Sequence, residues 1–164
     1  MDDKKLLADG IINFFYKKAE YKSLSNFWKC TIIIIDECNV RKYDSGESCF
    51  HGEKFIRVGK LSKDKNRKEK LLDYGKTFLK DVCEKDGNIV KKMGRQFILN
   101  NDELQLWLNL SIRVQIEICK YKFENYEEVK NDLCKSNSKI LIHPAMRNSE
   151  DKVKSRLWEG KAIM

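Results

Sequence analysis

Proline is almost absent from this sequence, because Pro144 is the only one, and the eight glycines are scattered. Clusters of these two residues mark linkers and domain boundaries, so their scarcity gives no sign of a division within the 164 residues. Internal repeats and low-complexity segments are missing too. We therefore expect a single domain over residues 1–164, long enough to bury a core without metals or cross-links.

Long apolar runs and paired cysteines are also lacking. No apolar stretch approaches the roughly 20 residues that span a bilayer, and the acidic start MDDKKLLADG lacks the apolar core of a secretory signal. The six cysteines form no C-x-x-C pair, and the only histidines, His51 and His143, adjoin no cysteine cluster, which argues against a zinc site. We expect a soluble cytoplasmic protein with reduced thiols, no membrane association, no metal and no cofactor.

Positive charge is what the sequence has in excess, with a net charge of +8 at pH 7 and a pI near 9.1. The excess is local, because residues 54–80 hold ten Lys or Arg against three acids. Such a patch suits a polyanion or a phosphate-bearing ligand, and it predicts phosphate contacts within residues 57–80, Arg67 and Lys68 among them. The alternative is a solvated Lys-rich helix face that serves only solubility.

Hydrophobic patterning predicts a fold of the α+β class, predominantly helical, with a small N-terminal β element. Bulky β-branched runs predict strands, and from residue 46 the pattern turns helical. The predicted strands are IINFFY (11–16), CTIIIID (30–36), NVRKYD (39–44) and an edge strand KILIHP (139–144) that ends at the proline. The predicted helices are 46–59, 64–84, 86–95, 101–123 and 126–136.

The segment LQLWLNLSIRVQIEI (104–118) is ambiguous, because every even position is apolar, as in a strand. Its length is nearly three times that of a typical strand. On a helix the same residues form two stripes on opposite sides, 104/108/112/116 and 106/110/114/118. We predict a helix buried on two faces, with a long bent strand as the alternative.

The stretch GESCFHGEKF (46–55) places Glu47, Phe50, His51 and Lys54 on one helical face. One interpretation is structural: Asp44 and Glu47 have the spacing of a capping box, Lys54 points to solvent and His51 pairs with Glu47 on the surface. The other interpretation is chemical. Gly52 costs about 1 kcal/mol relative to alanine inside a helix, and close approach of a ligand or another backbone is a usual reason for such a glycine.

One ordered set of motifs resembles the NADAR superfamily, also called YbiA-like. The family pattern has an aromatic-ended first strand, an S-N-F motif, an S-E-x-x-F-x-x-x-K-F helix, an M-G-R turn, a tryptophan-containing long helix ending in K-F, and a late W-G. The matching pieces here, in order, are IINFFY, SLSNF (23–27), YDSGESCFHGEKF (43–55), KKMGR (91–95), Trp107, KYKF (120–123) and Trp158. The likeness covers residues 11–160.

The resemblance implies an N-glycosidase that cleaves ribose C1 linkages. Its substrate would be ADP-ribosylated guanine in nucleic acid. The FHGEKF motif and the basic helix favour the antitoxin members of the family, which are paired with DarT-type DNA ADP-ribosyltransferases. The alternatives are cleavage of phosphoribosylamino-pyrimidine intermediates of riboflavin synthesis and a non-catalytic ADP-ribose or nucleic-acid binding module. An unrelated basic helical interaction protein is a further alternative.

The resemblance also carries roles to individual residues. Glu47 and Lys54 match the catalytic positions, and a histidine, His51, stands where many members have glutamine. The residues expected to bind substrate are Phe15, Ser25, Asn26, Phe27, His51, Gly94, Arg95, Arg147 and Trp158. Family members end in W-G-D-G, whereas this chain has Trp158-Glu159-Gly160 followed by four residues.

The residue types suit the reaction. Breaking a C1–N bond builds positive charge on the ribose and negative charge on the leaving base. Glu47 supplies a carboxylate that can stabilise the positive charge on the ribose. Lys54 can stabilise the base, bind phosphate or attack C1 to form an imine. Phe15 and Phe27 offer flat surfaces for a base, and Arg95 offers a fork for a phosphate.

Overall fold

The structure is a computed structural model that describes residues 11–13, 20–37, 39–137, 139–146 and 153–156. The described chain is α+β and mostly helical, as predicted. Its contacts divide it into two compact units. We call Asn26–Tyr121 the continuous unit, and the described residues up to Ser25 and from Lys122 onward the terminal unit.

The elements follow one another in the order β1, β2, β3, five helices, β4 and β5 within the described residues. The helices are α1 (Gly46–Leu61), α2 (Lys65–Lys76), α3 (Gly87–Gln96), α4 (Asn101–Asn125) and α5 (Glu127–Ser136), with a 3-10 turn at Lys22–Leu24. The strands are β1 (Ile11–Asn13), β2 (Lys29–Asp36), β3 (Asn39–Ser45), β4 (Ile140–Met146) and β5 (Val153–Arg156). None of the described helices combines the length and apolar character needed to span a membrane.

The terminal unit contains a three-stranded sheet in the order β1-β4-β5. Strand β4 pairs in parallel with β1, where Ile11 faces Ile140, and antiparallel with β5. It is therefore a central strand rather than the predicted edge strand, and it continues through Pro144 to Met146. The proline is tolerated because the ladder with β1 ends at Ile142, so β4 has only one partner strand at Pro144.

The continuous unit starts with the antiparallel pair β2–β3, and β3 leads directly into α1. Helices α1 and α2 approach closely through glycines: a Cβ on Gly75 would come within 2.6 Å of Ile56 and 3.1 Å of the Gly52 carbonyl. Aromatic residues fill the space beside this contact, with the ring of Phe55 stacked 5.8 Å from that of Phe78. The fully buried core side chains here include Ile32, Tyr43, Cys49, Phe55, Val58, Leu71 and Phe78.

The helix predicted over residues 64–84 is shorter than expected. It ends at Lys76, and Phe78 and Cys83 are buried in the turns that follow, before Asp86 caps α3. In these turns the Lys80 N–H donates to the Lys42 carbonyl, which is in β3, rather than continuing a helical ladder. The Lys80 N–H thus finds its partner in the strand, and the chain after Lys76 forms turns instead of the longer helix that was predicted.

Helix α4 confirms the helical interpretation of residues 104–118, but burial on two faces is wrong. Val114 and Ile118 are fully buried, whereas the opposite stripe is exposed. The exposed stripe comprises Leu104 (42%), Leu108 (55%), Ile112 (59%) and Ile116 (45%). Sequence period alone marks both stripes as apolar, and the described residues cover only one of them.

Candidate functional site

Helix α1 begins with a cap that differs from the predicted one. Ser45 is the N-cap, and its Oγ accepts a hydrogen bond from the Ser48 N–H at 3.1 Å, while Asp44 accepts from the Ser48 hydroxyl at 2.8 Å. The capping box of Asp44 and Glu47 is therefore wrong. Glu47 is the second helical residue, so its carboxylate gains from the helix dipole but caps nothing.

The S-N-F segment anchors the start of α1. The Glu47 N–H donates to the Asn26 carbonyl at 2.9 Å. A Cβ on Gly46 would lie 2.6 Å from Asn26 Oδ1 and 3.0 Å from its Cα, so only glycine permits this approach. The Asn26 amide also exchanges two hydrogen bonds with Gln115 of α4, at 2.8 and 3.1 Å. These contacts fix Asn26, and through it the backbone of Glu47.

The other two residues of this segment differ in their surroundings. Phe27 packs against the start of α3, where a Cβ on Gly87 would come within 2.6 Å of its ring, and the Lys91 ammonium lies 5.9 Å from the ring centre. Ser25 belongs to the terminal unit, in which its carbonyl accepts a hydrogen bond from Lys122 at 2.8 Å. Phe27 therefore packs on α3, the helix that carries Gly94.

Glu47 and His51 form a contact one helical turn apart. His51 Nε2 lies 3.2 Å from Glu47 Oε1, and their side chains are 10% and 12% exposed. The second carboxylate oxygen of Glu47 makes no hydrogen bond with any residue that the structure describes. The predicted surface pair is thus a largely buried one, and half of the carboxylate's accepting capacity is unused.

Gly94 brings the M-G-R motif against this pair. A Cβ at Gly94 would come within 2.2 Å of His51 Nδ1 and 2.4 Å of two ring carbons, so the imidazole rests directly on the Gly94 backbone. Gly94 lies in the last turn of α3, where helix carbonyls lack partners within the helix. The motif is therefore helical rather than a turn, and its glycine is required by close packing.

Lys54 reaches the same residue from the next turns of α1. Its Nζ donates to the Gly94 carbonyl at 2.8 Å, just as the Tyr74 hydroxyl donates to the Met93 carbonyl at 2.7 Å. Burial lowers the pKa of Lys54, and the positive charge of Arg95 lowers it further. Lys54 has no carboxylate partner among the described residues, so nothing of opposite sign compensates these two effects.

Arg95 is exposed at the end of α3. Within the described residues its guanidinium forms neither a hydrogen bond nor an ion pair. Its position in the last turn places a cation where the helix dipole favours positive charge. Its open fork also leaves it able to hold a phosphate close to Lys54.

Aromatic side chains pack against α1, the helix that carries Glu47, His51 and Lys54. Phe50 meets the Trp107 ring of α4 edge-on at 4.9 Å, which ties α1 to the tryptophan of the motif set. Gly52 is explained by the Tyr43 ring, which a Cβ would approach to 2.5 Å. The glycine therefore marks the approach of an aromatic side chain rather than of a ligand.

The basic window of residues 54–80 is partly neutralised. Arg67 binds both oxygens of Glu103 at 2.7 and 2.8 Å and lies over the Phe97 ring, so it is a structural residue and we remove it from the predicted phosphate contacts. Lys60 pairs with Asp36, and Lys76 with Asp73. The lysines of this window whose ammonium forms neither an ion pair nor a hydrogen bond with a described residue are Lys63, Lys65, Lys68 and Lys70, three of them exposed and Lys68 half-buried.

A buried charge cluster around Glu53 was missed by sequence reasoning. Glu53 is fully buried and accepts hydrogen bonds from Arg41 at 2.7 and 3.0 Å, from Tyr43 at 2.8 Å and from Arg57 at 2.8 Å. Arg57 also pairs with Glu117 of α4. The available signal was the spacing of Arg41 and Tyr43. Residues two apart in a strand point to the same face, so both side chains lie on the face of β3 that packs against α1, the helix that carries Glu53.

Three predicted substrate-binding residues, Phe15, Arg147 and Trp158, lie outside the described residues. The structure brings Glu47, His51, Lys54 and Gly94 into one chain of contacts. Arg95 is close enough for its charge to act on Lys54. No protein-family model matches the chain, and no curated protein matches it.

Proposed function

We propose that the protein is an N-glycosidase of the NADAR type that removes ADP-ribose from guanine bases of nucleic acid. The observation that carries the proposal is the contact chain Glu47–His51–Gly94–Lys54, which joins two motifs 40 residues apart in sequence. Each of these residues belongs to the motif set on which the resemblance rests. Among the described residues no group of three potential metal ligands occurs.

Glu47 supports the charge that develops on the ribose. One carboxylate oxygen is held by His51 and the other has no hydrogen bond to a described residue. A carboxylate in this state can face a ribose C1 as the C1–N bond weakens and the ring becomes cationic. Glu47 lies in the first turn of α1, where the helix dipole interacts favourably with a negative charge.

Lys54 supports the imine mechanism over a purely electrostatic role. Its pKa is lowered by burial and by the charge of Arg95, which increases the fraction of neutral amine. The neutral amine attacks C1, the C1–N bond to guanine breaks, and the base leaves with its electron pair and takes up a proton. The ribose ring then opens to an imine on Lys54, and water hydrolyses the imine to release ADP-ribose and the free amine.

The charges nearby suit a diphosphate-linked sugar on a nucleic acid. Arg95 has no partner among the described residues and lies close enough to Lys54 to influence it. The unpaired lysines of α2 and the loop before it offer a polyanion surface. This favours nucleic acid over a small phosphoribosyl intermediate, whose single phosphate would need no such surface.

The decisive experiment is an assay of ADP-ribose release from an oligonucleotide that carries ADP-ribosylated guanine, analysed by chromatography. We expect many turnovers per protein molecule, and loss of release in Lys54→Met but not in Lys92→Met, an exposed lysine of α3. Stoichiometric retention of the ligand without release would instead show a binding module. Release only from a phosphoribosylamino-pyrimidine would assign the protein to the riboflavin-associated chemistry.

A further inference from the structure

The imidazole of His51 is enclosed on both of its nitrogen sides. Nε2 lies 3.2 Å from Glu47 Oε1, and Nδ1 is buried without a hydrogen-bond partner among the described residues. A Cβ built on Gly94 would come within 2.2 Å of Nδ1 and 2.4 Å of both of its ring neighbours, so Gly94 lies against the face of the ring. The two nitrogens therefore have very different surroundings.

These surroundings determine which nitrogen carries the proton. An ionised carboxylate only accepts, so Nε2 must donate to Glu47. Nδ1 is buried and has no acceptor within reach among the described residues. A proton on Nδ1 would therefore be a buried donor without a partner, whereas a proton on Nε2 is accepted by the carboxylate.

We propose that His51 is the positioning residue of Glu47. It carries its proton on Nε2, donates it to Oε1 and holds the carboxylate in one orientation, so that the other oxygen is kept for the substrate. The catalytic consequence rests on the proposed function, whereas the tautomer and the hydrogen bond rest on geometry alone. The role differs from the direct substrate contact predicted from the sequence.

The residues packed around the imidazole of His51 hold it in one position relative to Glu47. Gly94 lies against one face of the ring, and the centres of the Phe50 and Phe78 rings lie 5.7 and 6.1 Å from the imidazole centre. Lys54 fixes the Gly94 carbonyl at 2.8 Å and so holds the surface on which the imidazole rests. The orientation of Glu47 therefore depends on α3 as well as on α1.

A matched pair of variants tests the positioning role. The amide nitrogen of glutamine reaches about as far from the backbone as Nε2, whereas that of asparagine reaches only as far as Nδ1. We expect His51→Gln to keep kcat within about threefold, and His51→Asn to lose about tenfold or more with KM nearly unchanged. Equal kcat values in the two variants would overturn the positioning role.

Nitrogen-15 NMR of the imidazole rings tests the tautomer without any activity measurement. His143 is the only other histidine, so comparison with His51→Gln assigns the signals. We expect the pattern of an Nε2–H tautomer for His51, and a changed pattern in Glu47→Leu, which removes the acceptor. An Nδ1–H pattern, or His51 signals unaffected in Glu47→Leu, would overturn the inference. The expected pattern in a protein that releases no ADP-ribose would support the His51–Glu47 bond and refute the proposed function.

Discussion

Two glutamates of helix α1, Glu47 and Glu53, have opposite surroundings although they share one helix. Glu53 is fully buried, and both of its oxygens are occupied by Arg41, Tyr43 and Arg57. Glu47 is held by one hydrogen bond, and its second oxygen has no described partner. A carboxylate whose oxygens are both hydrogen-bonded within the protein stabilises the fold, whereas a carboxylate with an oxygen that lacks a partner can contact a substrate.

The pKa values follow the same division. Burial by itself would raise the pKa of Glu53, but the hydrogen bonds and charges of Arg41 and Arg57 outweigh it and hold the pKa below its ordinary value. Lys54 has no such compensation, so burial and Arg95 lower its pKa together. A buried group with oppositely charged partners stays in its charged form, whereas a buried group without such partners has a shifted pKa, as reactive groups often do.

The largest expected effect is on stability, in Glu53→Gln. This change removes the closest anion of the buried Arg41 guanidinium and leaves it only the 3.4 Å contact with Asp36, and breaking such a buried pair costs about 3 kcal/mol or more of unfolding free energy. The lowered pKa of Glu53 contributes stability that is present above its ordinary pKa and is lost as pH falls through the folded-state value. Urea unfolding at several pH values should show both the loss and a weaker acid dependence in the variant.

The same change at Glu47 should affect activity instead. Glu47→Gln keeps the shape and the hydrogen bond from His51 but removes the negative charge. We expect a loss of roughly 100-fold or more in kcat, equivalent to about 2.7 kcal/mol, with little change in melting temperature. If this variant retains more than half of the wild-type kcat, the comparison between the two glutamates fails as a guide to function.

The pH dependence of Lys54 gives the next effect in size. The imine mechanism needs the neutral amine, so kcat should rise with pH by up to about tenfold per pH unit until the Lys54 pKa is passed. Arg95→Gln should raise that pKa and move the rise to higher pH, whereas the control Arg113→Gln, on the exposed side of α4, should not. Reduction with a hydride donor during turnover should attach a ribose-containing mass to Lys54.

Stability provides the control for Lys54. Its folded-state pKa is lowered, so the protonated amine opposes folding below that pKa, and the penalty disappears as pH rises toward the ordinary lysine value. Lys54→Met should therefore be at least as stable as the wild type at pH 7. A large loss of stability would mean that the hydrogen bond to Gly94 is its main role.

Ser45→Ala separates the cap of α1 from the chemistry of Glu47. Ser45 is the N-cap and accepts from the Ser48 N–H, so its removal should lower the unfolding free energy by about 1 kcal/mol. We expect kcat to stay within twofold at temperatures where the protein is folded. A fall in kcat comparable to that of Glu47→Gln would show that cap and site cannot be separated.

The smallest expected effect concerns the exposed lysines. The double variant Lys65→Glu/Lys70→Glu should raise KM for long ADP-ribosylated DNA, lower the slope of log KM against log salt by about 1–2, and spare a mononucleoside substrate. The matched control, Lys135→Glu/Lys139→Glu, reverses two other exposed lysines. An unchanged salt dependence in the first variant would leave solubility as the role of the α2 lysines.

The sequence predicted which residues share the helical face of the candidate site better than it predicted the contacts that hold this face in place. A helix starting at Gly46 places Glu47, His51 and Lys54 on one side by geometry alone, and the structure agrees. The contact of Gly94 with His51 depends on the packing of two helices, which periodicity does not encode. The N-cap was misassigned because Asp44 and Ser45 are both good caps, and the anchoring of the Glu47 N–H by Asn26 decides between them.

The fold shows the same limit. Local pattern located five helices and the β2–β3 pair, because their contacts are close in sequence. It failed where a distant partner decides the outcome: the Lys80 N–H after α2 bonds to Lys42 of β3, β5 makes β4 a central strand, and Arg41 with Arg57 permits a buried Glu53. Whether the chain is one domain stays a prediction.

The pairing of β1 with β4 has a consequence for the order in which the chain acquires its structure. Ile11 faces Ile140 across the sheet, so the strands that meet are separated by almost the whole chain. The continuous unit, by contrast, is complete once Tyr121 has been synthesised. At about 5–20 residues per second, Glu47 and Lys54 have emerged several seconds before β4 exists. The candidate site can therefore assemble during translation, whereas β1 must wait, unpaired with β4, until Ile140–Met146 have been synthesised.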